Sequence, residues 1–226
     1  RDFCLSRGLG DVYKRQRFNK NIKILNENEL EKIPQRWKYI MLSENRLERV
    51  VEYWKEVVGG NLSNTIRYIE NHLIDIQCIK VNEDYYILYN ILTENKEEGI
   101  YVGKIPNENK KISSIYDKLP KSLQTFYSNL HDGFYYFASD SMGILELSMV
   151  KNLNEYDWAI LEEIDEPKIN LDTSYIIFDS GMGGFIVVDV NKGIDDATIW
   201  FDDEAPMYQK NFWNFCDEWI KMGMEE

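Results

Sequence analysis

The chain offers few residues that exchange protons near neutral pH. Its two histidines are His72 and His131, and histidine is the side chain whose ordinary pKa lies in that range. His131 precedes Asp132 at the predicted end of a helix, where the helix dipole favours a cationic imidazole. No Ser or Cys stands in a nucleophile motif such as GxSxG. The sequence therefore predicts no catalytic residues and a protein that is not an enzyme.

Two short motifs have the residue types of a ligand site without its spacing. The run Gly181-Met182-Gly183-Gly184 is similar to a phosphate loop, but it lies between two predicted strands and lacks the Lys-Ser or Lys-Thr pair. Residues 189–196 contain Asp and Asn as in a calcium loop, but the glycine is out of register and no helices flank it. Both are predicted to be turns. The three cysteines form no CxxC pair, so neither a metal nor a cofactor is predicted.

Charge is the strongest chemical signal in the sequence. The net charge is −13, and from Asp117 onward 22 acidic and 7 basic residues give −15. Nucleic acid and anionic membranes require clustered Lys and Arg, so neither is expected as a partner. An acidic surface either keeps a protein soluble or matches a basic protein partner, and both interpretations are open at this point.

We expect a protein partner to bind at three acidic segments with two aromatic anchors. Tyr and Trp beside carboxylates are frequent at the centres of interfaces, although core packing is the alternative for each aromatic residue. The predicted partner-binding residues are Glu162, Glu163, Asp165, Glu166, Asp195, Asp196, Trp200, Asp202, Asp203, Glu204 and Tyr135.

Helical periodicity precedes β-type sequence in the first half. Apolar residues recur at steps of three and four over 30–41, 47–58 and 66–73, which predicts helices. Asn26 begins a capping box, Pro34 splits the first helix, and Ser43 is predicted to cap the next one. Residues rich in β-branched and aromatic types predict a three-stranded antiparallel meander at 74–81, 85–92 and 100–105.

The second half is predicted to contain a helix, several strands and a closing helix. The opening helix has Pro120 in its first turn. The final helix has Phe212, Phe215, Cys216 and Trp219 on one face and ends at Gly223. The strands are predicted at 134–137, 143–147, 156–161, 175–178, 185–190 and 198–201.

These elements predict an α+β fold, with an antiparallel sheet flanked by helices and an N-terminal helical plus three-stranded extension. The polar stretch 106–111 is the predicted boundary, which divides the chain into an N-terminal α+β region at 17–111 and a second domain at 112–226. Residues 1–16 (RDFCLSRGLGDVYKRQ) resemble a translated sequencing-adaptor read-through, and we expect them to be a non-native tail.

Four segments of the second half resemble the SUKH superfamily (Smi1/Knr4-like) when they are taken in order. LPKSLQTFY at 119–127 resembles the opening helix of the family, and NLHDGF at 129–134 resembles the turn that ends this helix. FDSGMGGF at 178–185 resembles its strand–Gly turn–strand, and NFWNF at 211–215 with Trp219 resembles its closing helix. The resemblance covers about residues 116–224. Cys216 and Trp219 depart from it, since the family usually has Leu at those places.

The resemblance implies a binding domain without a catalytic set. Many bacterial members look like immunity proteins that bind cognate toxins, nucleases prominent among them, whereas fungal relatives look like cell-wall and signalling scaffolds. We therefore expect a cytoplasmic immunity protein that binds a basic toxin. A regulatory scaffold that binds endogenous proteins is the alternative, and a metal-dependent enzyme built from carboxylates is a third hypothesis. No apolar run approaches the roughly 18 residues of a membrane span.

Overall fold

The computed structural model describes residues 22–106, 114–155, 158, 166–202 and 204–225. These residues contain an antiparallel sheet of eleven strands, in the order β1-β2-β3-β4-β5-β6-β8-β9-β10-β11, with β7 pairing β8 beside β6. The predicted fold class, α+β with an antiparallel sheet flanked by helices, is confirmed. The strands are β1 Ile22–Ile24, β2 Leu73–Val81, β3 Asp84–Leu92, β4 Glu98–Lys104, β5 Phe134–Tyr136, β6 Ser141–Ile144, β7 Lys151–Asn152, β8 Ser174–Asp179, β9 Gly184–Asp189, β10 Ala197–Phe201 and β11 Met207–Lys210.

The helices begin and end largely where local sequence predicts. A 3₁₀-helix at Glu27–Lys32 starts with the predicted capping box on Asn26, and Pro34 separates it from the next helix. The Ser43 prediction is wrong, because Ser43 ends one helix and Asn45 precedes the next. The helices are α1 Gln35–Leu42, α2 Arg46–Val58, α3 Ser63–His72, α4 Lys121–Thr125, which continues as a π-helical turn at Phe126–Leu130, and α5 Phe212–Glu225.

Gly223 does not end the last helix, contrary to the prediction. The helix continues to Glu225, and Gly223 instead allows a close approach to the sheet. A Cβ atom added to Gly223 would lie 2.7 Å from the Tyr101 hydroxyl oxygen and would also meet the Met142 side chain. The glycine therefore serves packing between α5 and the sheet.

The sheet continues across the predicted boundary between the two regions. β4 belongs to the first region and β5 to the second, and the two pair antiparallel with Val102 opposite Tyr135. The main core includes buried residues from both regions. The predicted strand at 156–161 lies outside the described residues apart from Trp158.

Both faces of the sheet are covered by apolar packing. The helices pack on one face and form the main core with it; Trp37 of α1, Trp54 of α2 and Phe212 of α5 are among its fully buried members. The other face carries two smaller clusters, one around Tyr86 and Val102 and one around Trp200. Because both faces are buried, alternation along a strand does not reveal which residues reach solvent.

A buried carboxylate joins α5 to α3. Asp217 accepts hydrogen bonds from the backbone N–H of Asn64 at 3.0 Å and of Thr65 at 2.8 Å, at the N-terminus of α3. The Thr65 hydroxyl donates in turn to the Asp217 backbone oxygen at 3.1 Å. Since the first N–H groups of a helix have no partner within the helix, the last helix of the chain caps a helix of the first half.

Within the described residues, no helix combines the length and the apolar character needed to cross a lipid bilayer.

Candidate interaction surface

The turn between β8 and β9 presents an exposed methionine on a well-fixed loop. Asp179 Oδ1 accepts a hydrogen bond from Gly181 N–H at 2.7 Å, and Ser180 Oγ accepts from Met182 N–H at 3.1 Å and from Gly184 N–H at 3.0 Å. Gly181 and Gly183 have φ angles of 74° and 78°, which glycine adopts without strain. The predicted turn is confirmed. Met182 at its tip is 72% exposed, the largest value among the described large apolar side chains.

Two carboxylates, those of Asp179 and Asp202, interact electrostatically beside this turn. The Asp202 N–H donates to the Gly183 carbonyl oxygen at 3.0 Å, and a Cβ atom on Gly183 would lie 2.8 Å from Asp202 Oδ2. Burial raises the pKa of Asp179, and the negative charge of Asp202 raises it further, against the lowering effect of the Gly181 N–H. Glu204 is exposed shortly after Asp202. The loop end of the sheet is therefore locally negative around Met182.

The structure separates the predicted acidic residues. Asp195 and Asp196 precede β10, whereas Asp202 and Glu204 follow it. At about 3.3 Å per residue, the five residues of β10 place these pairs roughly 16 Å apart. Glu166 is exposed near Lys168, whose backbone N–H donates to the Tyr208 hydroxyl. Glu162, Glu163, Asp165 and Asp203 lie outside the described residues.

The acids before β10 are engaged within the protein. Asp196 forms an ion pair with Lys192 at 3.2 Å, and Asp195 accepts a hydrogen bond from the Asn211 side chain. Asp195 is exposed and Asp196 is half-buried. Asp202, exposed beside the β8–β9 turn, and Glu204, exposed two residues after it, are therefore better placed for a partner.

Neither predicted aromatic anchor lies at the surface. Trp200 is 0% exposed in the cluster with Trp158, and Tyr135 is 3% exposed with its hydroxyl donating to Glu146 at 2.8 Å. The expectation of surface anchors is corrected, because both side chains lie on the sheet face that smaller apolar clusters cover. Core packing, the alternative given from the sequence, describes both residues.

Half-exposed aromatic residues lie instead on α5. The predicted aromatic face divides, because Phe212 and Cys216 are buried whereas Phe215 and Trp219 are half-buried. Trp219 is the one tryptophan of the six that is not buried. The sequence predicted Trp219 on the same face as Phe212 and Cys216, without a difference in exposure.

A buried group of charged residues lies on the face of the sheet that the helices do not cover. Lys104 Nζ is 2.8 Å from Glu146 Oε2, 3.3 Å from Asp132 Oδ2 and 3.7 Å from Asp84 Oδ2. Burial lowers the pKa of Lys104, but the charges of Glu146 and Asp132 outweigh this effect and raise the pKa to about 12. A lysine that stays protonated is neither a nucleophile nor a base. Sequence reasoning gave no sign of this Lys104 cluster, because its members come from four separate segments.

His131 is equally unsuited to proton exchange near neutral pH. It is 0% exposed; its Nε2 lies 2.7 Å from the Tyr89 hydroxyl and its Nδ1 lies 3.3 Å from the Lys104 carbonyl oxygen. Trp54 Nε1–H donates to the same Tyr89 hydroxyl at 3.0 Å. The Tyr89 hydroxyl can therefore donate its own proton to His131 Nε2, which accepts it in the neutral form of the imidazole. Burial lowers the pKa of His131 to about 3, despite the backbone hydrogen bond to Lys104.

Within the residues that the structure describes, no three His, Cys, Asp or Glu side chains are grouped as they would be to hold a metal ion. No protein-family model, curated protein or solved structure matches the chain. The candidate surface is therefore described by its own chemistry, in which the Asp179 and Asp202 carboxylates lie at the turn that carries the exposed Met182.

Proposed function

We propose that this chain is a non-catalytic binding protein of the cytoplasm, an immunity protein that neutralises a basic bacterial toxin, with nuclease-type toxins first among them. The observation that carries the proposal is the locally negative β8–β9 turn, where Asp179 and Asp202 interact electrostatically and Met182 at the tip is 72% exposed. Carboxylates that are exposed around an apolar side chain suit a surface that attracts a basic protein and then holds it by contact.

The charge distribution supports the same function. The net charge of −15 from Asp117 onward gives the second half a potential that steers basic proteins toward it. Toxin domains that act on nucleic acid need basic surfaces to bind phosphates. Covering such a surface with carboxylates blocks substrate binding without any chemistry. The SUKH-like order of segments in the same half favours the same class of protein.

Binding to the product of the neighbouring gene tests the function. We expect the full chain to bind a basic toxin encoded there, and to bind it more weakly when salt rises from about 50 mM to about 300 mM, because surface charges are then screened. The double variant Asp202→Lys/Glu204→Lys should lower the association rate at least about tenfold. The control is Glu31→Lys/Glu83→Lys, which reverses two exposed charges, 69% and 86% exposed, in the first half.

Two outcomes would count against the immunity function. One is the absence of binding to any basic protein from the neighbouring genes. The other is binding to many endogenous proteins with no effect of Asp202→Lys/Glu204→Lys, which favours the regulatory scaffold instead.

A further inference from the structure

The methionines of the chain differ widely in exposure. All seven belong to the residues that the structure describes, and Met182 at the tip of the β8–β9 turn is the most exposed at 72%. Met222 follows at 51% and Met207 at 39%, whereas Met224 is 2% exposed. Because a thioether in a folded protein reacts with the oxidants that can reach it, Met182 carries the most accessible of these sulfur atoms.

Four of the methionines are held by packing. Met224 is buried in the main core, and the half-buried Met41 packs against the same core. Met149 packs against one of the smaller clusters on the other face of the sheet. Met142 lies against α5, where a Cβ atom on Gly223 would meet its side chain. The sulfur atoms of these four residues are therefore shielded while the protein is folded.

The cysteines of the described residues do not compete for an oxidant. Cys78 is 2% exposed and Cys216 is 0% exposed. Peroxides react with the thiolate form, and burial raises the pKa of Cys78 to about 12 and the pKa of Cys216 well above its ordinary value. Both residues are therefore protonated thiols without access to solvent.

The backbone of the β8–β9 turn is fixed without a contribution from the Met182 side chain. Its hydrogen bonds use the Asp179 carboxylate, the Ser180 hydroxyl and backbone groups, among them the Ser180 N–H, which donates to the Gly184 carbonyl oxygen at 2.8 Å. Met182 belongs to none of the three apolar clusters of the described residues. A change at its sulfur atom therefore alters the surface of the turn and leaves the turn and the core intact.

We propose that Met182 is a site of reversible oxidation by peroxides, and that the sulfoxide at this position weakens binding of the basic partner. With hydrogen peroxide, the thioether sulfur donates an electron pair to one peroxide oxygen and the O–O bond breaks. The hydroxide that leaves takes up the proton of the oxygen that sulfur has gained. Sulfur is oxidised by two electrons, the peroxide is reduced, and the products are methionine sulfoxide and water.

The sulfoxide changes the surface in a direction that opposes binding. The thioether side chain of Met182 is apolar and adapts to the shape of a partner, at a turn that also carries the carboxylates of Asp179 and Asp202. A sulfoxide is polar, and its oxygen must lose water when a partner covers it. Release of the partner rests on the proposed function, whereas oxidation of Met182 does not.

Peptide mapping by mass spectrometry tests the site without a partner. The full chain is treated with hydrogen peroxide for increasing times, catalase stops the reaction, and trypsin isolates Met182 as the single methionine between Lys168 and Lys192. We expect Met182 to react at least about threefold faster than Met222 and Met207. A chain oxidised only at Met182 should keep its thermal midpoint within about 1 °C. Oxidation of Met222 or Met207 at the same rate as Met182, or faster, overturns the site.

Leucine variants connect the sulfur atom to binding. Met182→Leu keeps an apolar side chain of similar volume but forms no sulfoxide, and the matched control Met222→Leu removes the next most exposed sulfur atom. We expect peroxide to weaken toxin binding at least about tenfold in the unmodified protein and in Met222→Leu, and to have no effect on binding by Met182→Leu. Methionine sulfoxide reductases with a thiol reductant should restore binding, since two thiols become a disulfide while the oxygen leaves as water.

The oxidation site and the immunity function fail in different ways. Toxin binding that stays unchanged after complete oxidation of Met182 overturns the release of the partner, while it supports the immunity function. An equal loss of binding in peroxide-treated Met182→Leu also overturns release through Met182. Selective oxidation of Met182 in a chain that binds no toxin supports the oxidation site and overturns the immunity function.

Discussion

His131 shows at the level of one residue how hydrogen bonding and burial fix a protonation state. The imidazole stacks on the Trp37 ring at 4.9 Å, and both of its nitrogens have partners that suit the neutral form. Burial lowers its pKa to about 3, whereas an unfolded histidine titrates near 6.5. The unfolded chain therefore takes up a proton on acidification before the folded protein does.

This difference predicts a pH-dependent stability. Between about pH 6.5 and about pH 3, His131 should reduce the free energy of unfolding by about 1.4 kcal/mol per pH unit as the pH falls, and above pH 6.5 its contribution is complete. Urea unfolding between pH 7 and pH 5, above the range where most carboxylates titrate, isolates this slope. His131→Phe should be less stable at pH 7 but have a flatter slope. A His131→Phe slope equal to that of the unmodified protein would disprove the prediction.

The Lys104 cluster predicts a large cost for removing one charge. Lys104 and Glu146 side chains are each 8% exposed, so Lys104→Met leaves buried carboxylates without their ammonium partner. We expect a loss of about 3–5 kcal/mol in the free energy of unfolding, measured in urea at pH 7. Lys104→Met/Glu146→Gln should recover part of this loss. Lys55→Met, which removes an exposed ion pair with Glu70, should cost less than about 1 kcal/mol, and an equal loss in both single variants would argue against the cluster.

Residue types alone did not distinguish surface aromatics from core aromatics. Trp200 and Tyr135 were predicted as anchors because exposed Tyr and Trp near carboxylates are frequent at interfaces, yet both are buried on the second covered face of the sheet. Trp219 was predicted to share one face of the final helix with Phe212 and Cys216, which are buried, whereas Trp219 is half-buried. Which side of α5 meets α3 depends on residues about 150 positions away, and no local pattern contains that information.

At the scale of elements, turn and capping chemistry was the most reliable guide. The capping box at Asn26, the break at Pro34 and the meander of β2, β3 and β4 are confirmed, because each depends on neighbours within a few residues. The predictions that Ser43 caps a helix and that Gly223 ends one are wrong, because they considered only neighbouring residues in the chain. The backbone at each position follows the packing of a helix against the rest of the molecule, which overrides a local preference.

The Asp217 cap of α3 gives a prediction about how elements stabilise one another. Asp217→Asn removes the charge and one acceptor oxygen from two buried N–H groups, so we expect a loss of about 1–3 kcal/mol in the free energy of unfolding. Amide hydrogen exchange should show the first turn of α3 opening more often. Glu218→Gln, beside it but exposed, should cost less than about 0.5 kcal/mol. Unchanged exchange at Asn64 and Thr65 in Asp217→Asn would show that the cap is dispensable.

At the scale of the whole molecule, the two regions behave as one packed unit in a single sheet. β4 pairs with β5 across the predicted boundary, and the main core contains side chains from both regions. We expect calorimetry to give one thermal transition whose calorimetric and van't Hoff enthalpies agree. Asp217→Asn should lower its midpoint without splitting it. Two separate transitions in the unmodified protein would contradict this cooperativity.

The position of the cap has a consequence for how the protein is made. Thr65 and Asp217 are 152 residues apart, so a ribosome that adds roughly 5–20 residues per second needs on the order of 10 seconds or more between them. During that interval the N–H groups at the start of α3 have no partner, and the sheet is not yet covered by α5. We expect nascent chains that stall before α5 emerges from the ribosome to be captured by chaperones, because the start of α3 is not yet capped and the sheet is not yet covered by α5.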